Sequence, residues 1–183
     1  MRLRPTPKIT PFLWFDTQAE EAARFYCSLF EDSKILAVAR YGEGGMGPVG
    51  AAMTVDFQLA GQRFVALNGG PTFKFTEAVS FVVNCKDQQE IDRFWAKLGA
   101  GGRDIECGWL KDRYGLSWQV VPTALWKMIT DPDPARSARV MRALLEMKKL
   151  DLATLEAAHG PSPKRAAAKK RPPARGAKRR ARR

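Results

Sequence analysis

The sequence has few of the side chains that build disulfide frameworks and metal centres. Its 183 residues include three cysteines, Cys27, Cys85 and Cys107, and a single histidine, His159. The cysteines are odd in number and widely spaced, and none forms a CxxC pair, so we expect neither a disulfide framework nor a zinc site. This cysteine usage favours a reducing cytoplasm.

Long apolar runs are also lacking. The apolar stretch PFLWF (11–15) is too short for a signal peptide and far too short for a membrane span. With 45% apolar residues, the chain can nevertheless bury one sizeable core. We therefore expect a globular protein without membrane association.

Acidic side chains are missing from the last 23 residues, although the chain as a whole carries a net charge of +12. The segment 161–183 holds 11 of the 31 basic residues, and the remaining 20 face 19 acidic ones. Like charges repel and little apolar surface is available, so we predict a disordered tail. It is either a solvated extension without a partner or a non-specific contact for nucleic acid. Its basic residues are Lys164, Arg165, Lys169, Lys170, Arg171, Arg175, Lys178, Arg179, Arg180, Arg182 and Arg183.

Two stretches of the chain match at a constant offset of 69 residues. FLWFDTQAEEAARFYCSLF (12–30) aligns without gaps to FVVNCKDQQEIDRFWAKLG (81–99). The alignment pairs charged and aromatic residues alike: Glu21 with Glu90, Arg24 with Arg93, Phe25 with Phe94 and Tyr26 with Trp95. This agreement predicts a tandem duplication.

Each copy predicts the element order β-α-β-β-β. An apolar strand (9–15 or 79–85) leads into a helix with a capping box, formed by Thr17 and Glu20 or by Asp87 and Glu90. Alternating strands follow at 34–42, 52–61 and 62–68, and in shortened form at 103–110 and 116–121. Beyond Pro122 the pattern is helical, at 123–129, from Pro134, and from Asp151 to Gly160.

The duplicated unit resembles the vicinal oxygen chelate superfamily, which includes glyoxalase I, extradiol dioxygenases and bleomycin-resistance proteins. The strings ITPFLWFDTQAEEAARFY, LNGGPTFKFTEAVSFVVNCKDQQEIDRFW and CGWLKDRYGLSWQVVPTAL are similar to its PhnB-like branch, often labelled 3-demethylubiquinone-9 3-methyltransferase. The resemblance covers roughly residues 8–158 and leaves out the tail.

The resemblance implies an α+β fold in which tandem βαβββ units form an open curved sheet or barrel around a cleft. We expect one domain over 1–160, with repeats at about 8–70 and 77–122, C-terminal helices over 123–160, and the tail over 161–183. A homodimer is also implied, since this fold commonly pairs units across chains and symmetric pairing is the commonest oligomer.

Metal-dependent members of that superfamily place four His, Glu or Gln ligands on cleft-facing strands. The resemblance carries these positions onto Pro11, Val65, Ser80 and Gln119, counted from the helix-capping acid, the turn glycines and the offset between copies. Proline and valine cannot coordinate a metal, and such sites require imidazole and carboxylate donors. We therefore expect no metal and no other cofactor.

The favoured function is binding of an unknown small molecule in an apolar cleft. Strand alternation points Gln119 and Ser117 into the cleft and Trp118 under a helix. Gln119 is either a polar anchor for a ligand or a glutamine bonded to neighbouring backbone. The other candidate contacts are Ser80, Asn68, Trp109, Leu13 and Phe15, with Val65, Leu67 and Val82 as further lining. Asn68 has an alternative interpretation as part of an Asn-Gly-Gly turn.

Two enzymatic alternatives remain open, a metal-dependent isomerase, lyase or dioxygenase and the methyltransferase of the family label. The first lacks a ligand set. The second lacks a glycine-rich turn that opens a helix, because GEGGMGPVG (42–50) lies between two predicted antiparallel strands. Whether the protein catalyses any reaction stays undecided by the sequence.

Overall fold

The computed structural model describes residues 7–160, so the predicted basic tail lies outside the described residues. The first half of the fold has the predicted order of one strand, one helix and three strands. These elements are β1 (Phe12–Phe15), α1 (Ala19–Leu29), β2 (Lys34–Arg40), β3 (Ala52–Leu59) and β4 (Gln62–Asn68).

The second half repeats this order, which confirms the tandem βαβββ prediction, and three helices follow it. The repeat consists of β5 (Phe81–Cys85), α2 (Gln88–Gly99), β6 (Arg103–Asp104), β7 (Trp109–Lys111) and β8 (Ser117–Pro122). The C-terminal helices are α3 (Leu125–Ile129), α4 (Pro134–Leu145) and α5 (Leu152–His159).

Each half forms its own four-stranded sheet. The strand orders are β1-β4-β3-β2 in the first sheet and β5-β8-β7-β6 in the second. In both sheets the first strand of the repeat runs parallel to the last, and the other pairings are antiparallel. Over residues 7–160 the sheets remain open, so β1, β2, β5 and β6 are edge strands and no closed barrel forms.

The two repeat helices begin differently. The predicted cap of α2 is confirmed, because Asp87 Oδ1 accepts from the Glu90 amide at 2.9 Å. The predicted capping box at Thr17 is wrong: the Asn68 side chain, from the end of β4, accepts from the Ala19 amide at 2.7 Å. The physical reason is that the connection between β1 and α1 is one residue longer than that between β5 and α2, so Thr17 precedes the N-cap.

Both sheets share a single hydrophobic core, which also contains the apolar faces of α1 and α2. Rings from the two halves meet inside it. Tyr26 on α1 packs at 5.3 Å from Trp118 on β8, and Phe30 stacks on Phe94 of α2 at 4.9 Å. The two repeats are therefore one packed unit rather than two independent domains.

A buried carboxylate fastens the halves together. Asp112, in the turn between β7 and β8, is 3% exposed. Its Oδ2 accepts from the Tyr26 hydroxyl at 2.6 Å and from Trp118 Nε1 at 2.8 Å. Its Oδ1 accepts from the amides of Tyr114 at 2.8 Å and Leu116 at 3.0 Å. Burial raises the pKa of the Asp112 carboxyl above its usual value, and these hydrogen bonds act in the opposite direction.

The C-terminal helices form a second cluster that packs on the second sheet. Asp133 caps α4 and Pro134 opens it, as predicted, and Val140 and Leu144 are buried. Met141 and Leu145 are exposed, because the contacts of α4 with α3 and α5 cover only a narrow stripe of the helix. The cluster contacts Val121 of β8 and Cys107, so it covers one end of that sheet.

The described helices are all too short or too polar to cross a membrane. The three cysteines are free thiols, as the sequence predicts.

Replacing Asp112 with asparagine is expected to destabilise the fold by about 2–4 kcal/mol, because an amide nitrogen cannot accept the bonds that a carboxylate oxygen receives. Urea unfolding of the Asp112→Asn variant measures this loss. Asp104→Asn, at an exposed position of β6, is the matched control and is expected to change stability little. Equal stabilities of the two variants would contradict a fastening role for Asp112.

Candidate ligand-binding site

The strand β8 has the alternation that the sequence predicts. Trp118 points into the shared core, where it packs on Tyr26 and Phe30. Gln119 therefore points to the opposite face of the second sheet. In each sheet we call the face that points away from α1 and α2 the open face, although the C-terminal helices cover that of the second sheet at Val121. Beside Gln119 on this face lie Val82 of β5 and Trp109 of β7, its direct partners in the sheet.

The Gln119 amide is anchored by a side chain and not by backbone. Its Nε2 donates to the Ser80 hydroxyl at 2.9 Å, just before β5. Its carbonyl oxygen has no hydrogen-bond partner within residues 7–160. Both side chains are half-buried. The pair is therefore held in a fixed orientation while one acceptor remains available to a ligand.

The open faces also carry exposed apolar side chains. Phe12 of β1 is 59% exposed and Val82 is 51% exposed, although both lie within strands. Trp109 is half-buried. Gln119 and Ser80 thus lie in apolar surroundings, where a hydrogen bond to a ligand is worth more than it is in water.

Ser117 is less accessible than the sequence suggests. It shares the open face with Gln119 but is 0% exposed, and its hydroxyl has no partner among the described residues. Its neighbour in the sheet is Lys111, whose Nζ pairs at 2.9 Å with Glu77 from the segment between the two repeats. Ser117 therefore lies beneath the surface rather than at the site.

Leu13 and Phe15, which were predicted to line the cleft, lie on the core side of β1, although Phe15 also borders a cavity of about 420 Å³. They are 6% and 3% exposed and belong to the shared core. The open-face residues of β1 are Phe12 and Trp14, which pair with Val65 and Leu67 of β4. The extra residue between β1 and α1 shifts the alignment of β1 with β5 by one position. Because side chains alternate along a strand, each β1 residue then lies on the face opposite to the one expected from the offset of 69.

The same shift corrects one of the four carried-over metal positions. Phe12 pairs with Val65 as Val82 pairs with Gln119. Ser80 lies two residues before Val82, so its counterpart is Thr10 and not Pro11. The four positions hold threonine, valine, serine and glutamine, which do not fit a metal that needs imidazole or carboxylate donors. Nowhere in residues 7–160 do three or more His, Cys, Asp or Glu side chains cluster closely enough to hold a metal ion.

The side chain of Asn68 has a structural role in the fold. Besides capping α1, its Nδ2 donates to the Ala52 carbonyl at 2.9 Å. Its backbone carbonyl accepts from the Tyr41 hydroxyl. It does line a cavity of about 280 Å³ under the glycine-rich loop between β2 and β3. Its amide groups are, however, already used by the protein.

One polar pair on the open face was not predicted. Asp56 of β3 lies beside Val65 in the first sheet, and Arg63 Nε donates to Asp56 Oδ1 at 2.8 Å. The hydrogen bond to Asp56 raises the pKa of Arg63. Acidic and basic residues on neighbouring strands of one hairpin were the signal available in the sequence. The charges of Asp56 and Arg63 neutralise each other, which leaves the apolar residues of β1 and β4 as the main contact surface of this face.

Two βαβββ units, each with a four-stranded sheet that has an open face, define a protein of the vicinal oxygen chelate class. The family model for 3-demethylubiquinone-9 3-methyltransferase matches residues 7–121. The chain belongs to this family, which confirms the resemblance found in the sequence.

Several solved structures are similar to this chain. A PhnB protein from Bacillus cereus is 39% identical, covers 63% of this chain and 99% of its own, and superposes with a TM-score of 0.60. A protein from Staphylococcus aureus is 34% identical over 64% of this chain and 97% of its own, with a TM-score of 0.31. Protein PA1353 from Pseudomonas aeruginosa, at 20% identity, covers 64% and 98% of the two chains with a TM-score of 0.53 and shares the fold.

No curated protein matches the chain. The family match ends at residue 121, so the helices α3 to α5 extend beyond the matched region.

Truncating Trp118 and Gln119 is expected to have opposite consequences, because they face opposite sides of β8. Trp118→Ala should lower the free energy of unfolding by about 3–5 kcal/mol, whereas Gln119→Ala should cost less than about 1 kcal/mol. Trp126→Ala, at a tryptophan that is 73% exposed, controls for loss of the ring itself. Chemical denaturation that ranks Gln119→Ala as the more damaging change would contradict this arrangement.

Proposed function

We propose that the open face of the second sheet binds a small organic molecule, with Gln119 and Ser80 as its polar anchor and Val82 and Trp109 as its apolar surroundings. The main observation behind this proposal is the hydrogen bond of 2.9 Å between Gln119 and Ser80. It leaves the Gln119 side-chain carbonyl oxygen without a partner within residues 7–160. A fixed acceptor among half-buried apolar side chains is the usual composition of a ligand pocket.

Binding proceeds without a metal in this proposal. Support comes from the donor set, since Thr10, Val65, Ser80 and Gln119 occupy the positions where metal-dependent relatives of this fold place ligands. The metal-dependent isomerase, lyase or dioxygenase is therefore the weaker candidate. The methyltransferase activity of the family label would need a glycine-rich turn between a strand and a helix. The glycine-rich loop 42–50 does not provide it, because it connects β2 to β3 and opens no helix.

A fragment screen by protein-observed nuclear magnetic resonance tests this proposal on the full-length chain, with metal content measured on the same sample. We expect fragments that shift the amides of Trp109 and Gln119 in chelator-treated protein, and weaker binding to Gln119→Ala. Gln89→Ala, on the exposed side of α2, is the control. One tightly held transition metal per chain, or fragments that bind Gln119→Ala unchanged, would reject the proposal.

The exposed apolar residues of the open faces also support a homodimer. Phe12 and Val82 are more than half exposed in the isolated chain. A symmetric pair that covers them would remove this apolar surface from water and close the site. The unpaired thiols support a cytoplasmic location, where thiols stay reduced.

For the segment 161–183 we propose non-specific binding of nucleic acid. Eleven basic and no acidic residues provide the charge, and binding would follow from counterion release. Without aromatic residues the segment offers no base stacking, so discrimination among sequences is not expected.

Affinity for duplex DNA of any sequence is expected to fall steeply as salt rises, since each basic residue near a phosphate releases a counterion. A salt titration of binding compares the natural chain with a variant in which the eleven basic residues of 161–183 are glutamine. The variant should lose binding while its melting temperature stays unchanged. Undiminished binding by the variant, or no binding by the natural chain at low salt, would refute a role for this segment.

A further inference from the structure

A cavity of about 470 Å³ lies between the two repeats, and neither Gln119 nor Ser80 lines it. It is bounded by β5 and α2 of the second repeat and by the turn between β3 and β4 of the first. Five aromatic rings contribute to its wall, and they come from both repeats: Phe30, Phe64, Phe81, Phe94 and Trp118. Such a wall suits the apolar body of a ligand.

The rim of this cavity is acidic on balance. Glu31, Glu90 and Arg93 are its charged residues. Arg93 lies 4.2 Å over the Phe94 ring and 4.0 Å from the Glu90 carboxylate, so its charge is already engaged. The exposed Glu31 carboxylate makes no ion pair or hydrogen bond within the described residues. The rim therefore offers one carboxylate for which residues 7–160 supply no cation.

The duplication places a counterpart of this cavity on the other side of the molecule. The counterpart, about 420 Å³, lies between β1 and the turn from β7 to β8. Its wall also contains aromatic rings, including Trp14 and Phe73, but its charged residues are Lys74, Lys111 and Asp16, so it is basic on balance. Lys111 also pairs with Glu77. The two cavities thus share a position in the repeat and differ in charge, which allows them to discriminate between cationic and anionic molecules.

We propose that the cavity bounded by β5, α2 and the β3–β4 turn binds an organic cation with an apolar body. The apolar part contacts the Phe81 and Phe30 rings, which are half-buried and reachable from the rim. The positive group lies beside Glu31. Arg93 over Phe94 is an internal example of the same recognition, a planar cation held between an aromatic ring and a carboxylate. Val82 borders both this cavity and the site proposed around Gln119, but Gln119, Ser80 and Trp109 do not line the cavity.

Benzyltrimethylammonium is a suitable probe, and amide shifts of the isotope-labelled full-length protein measure its binding. We expect shifts at Leu59, Phe81 and Asn84 in the millimolar range, weaker binding at high salt, and weaker binding of the neutral benzyl alcohol and the anionic phenylacetate. Absence of shifts at these amides, or equal binding of phenylacetate, overturns the proposal.

Three variants locate the site. Glu31→Gln is expected to weaken binding of the probe about threefold, the effect of one exposed ion pair, while Glu43→Gln, in the exposed glycine-rich loop, should leave it unchanged. Gln62→Trp should abolish binding by filling the mouth, since Gln62 is exposed and lines the cavity. Gln119→Ala should have no effect. Unchanged binding in both Glu31→Gln and Gln62→Trp, or loss in Gln119→Ala, overturns the proposal.

Discussion

The packing of the two repeats depends on one carboxylate placed where water cannot reach it. Asp112 receives four hydrogen bonds, from the Tyr26 hydroxyl, the Trp118 indole and two amides of its own turn. Since a buried carboxylate is costly without donors, α1 of the first repeat and β8 of the second are held in one mutual arrangement. The open faces and the cavities between the repeats are consequences of that arrangement.

Most of the fold was predictable because duplication supplies two independent observations of the same pattern. The strand order within each repeat, the cap at Asp87 and the start of α4 at Pro134 follow from local sequence. The cap of α1 was not predictable locally, because its acceptor, Asn68, lies 49 residues further along the chain. Contacts of this kind are determined by the tertiary packing and leave no short-range signal.

The face of the sheet on which each strand side chain lies was the least predictable property of the candidate site. The offset of 69 holds through the helices, where Ala22 and Ile91 are both buried, but one extra residue before α1 makes the strand offset 70. An extra residue in the loop before a helix leaves the alignment of the two helices unchanged. In the strand before that loop, the same residue shifts the alignment by one and so exchanges the two faces. Counting from a turn glycine in its own repeat therefore places Gln119 on the face opposite Trp118, whereas the offset of 69 places Leu13 and Phe15 on the face opposite to the one they occupy.

The two repeats have kept their packing and diverged in their polar groups. Equivalent positions hold Val65 in one sheet and Gln119 in the other. The charged residues of the equivalent cavities also differ in balance, with two lysines and one aspartate in one case and two glutamates and one arginine in the other. Burial constrains the core residues of both copies alike, so the exposed positions are the ones free to differ. Different polar groups on two repeats of the same fold favour recognition of different molecules at the two equivalent cavities. This difference requires no movement of the backbone.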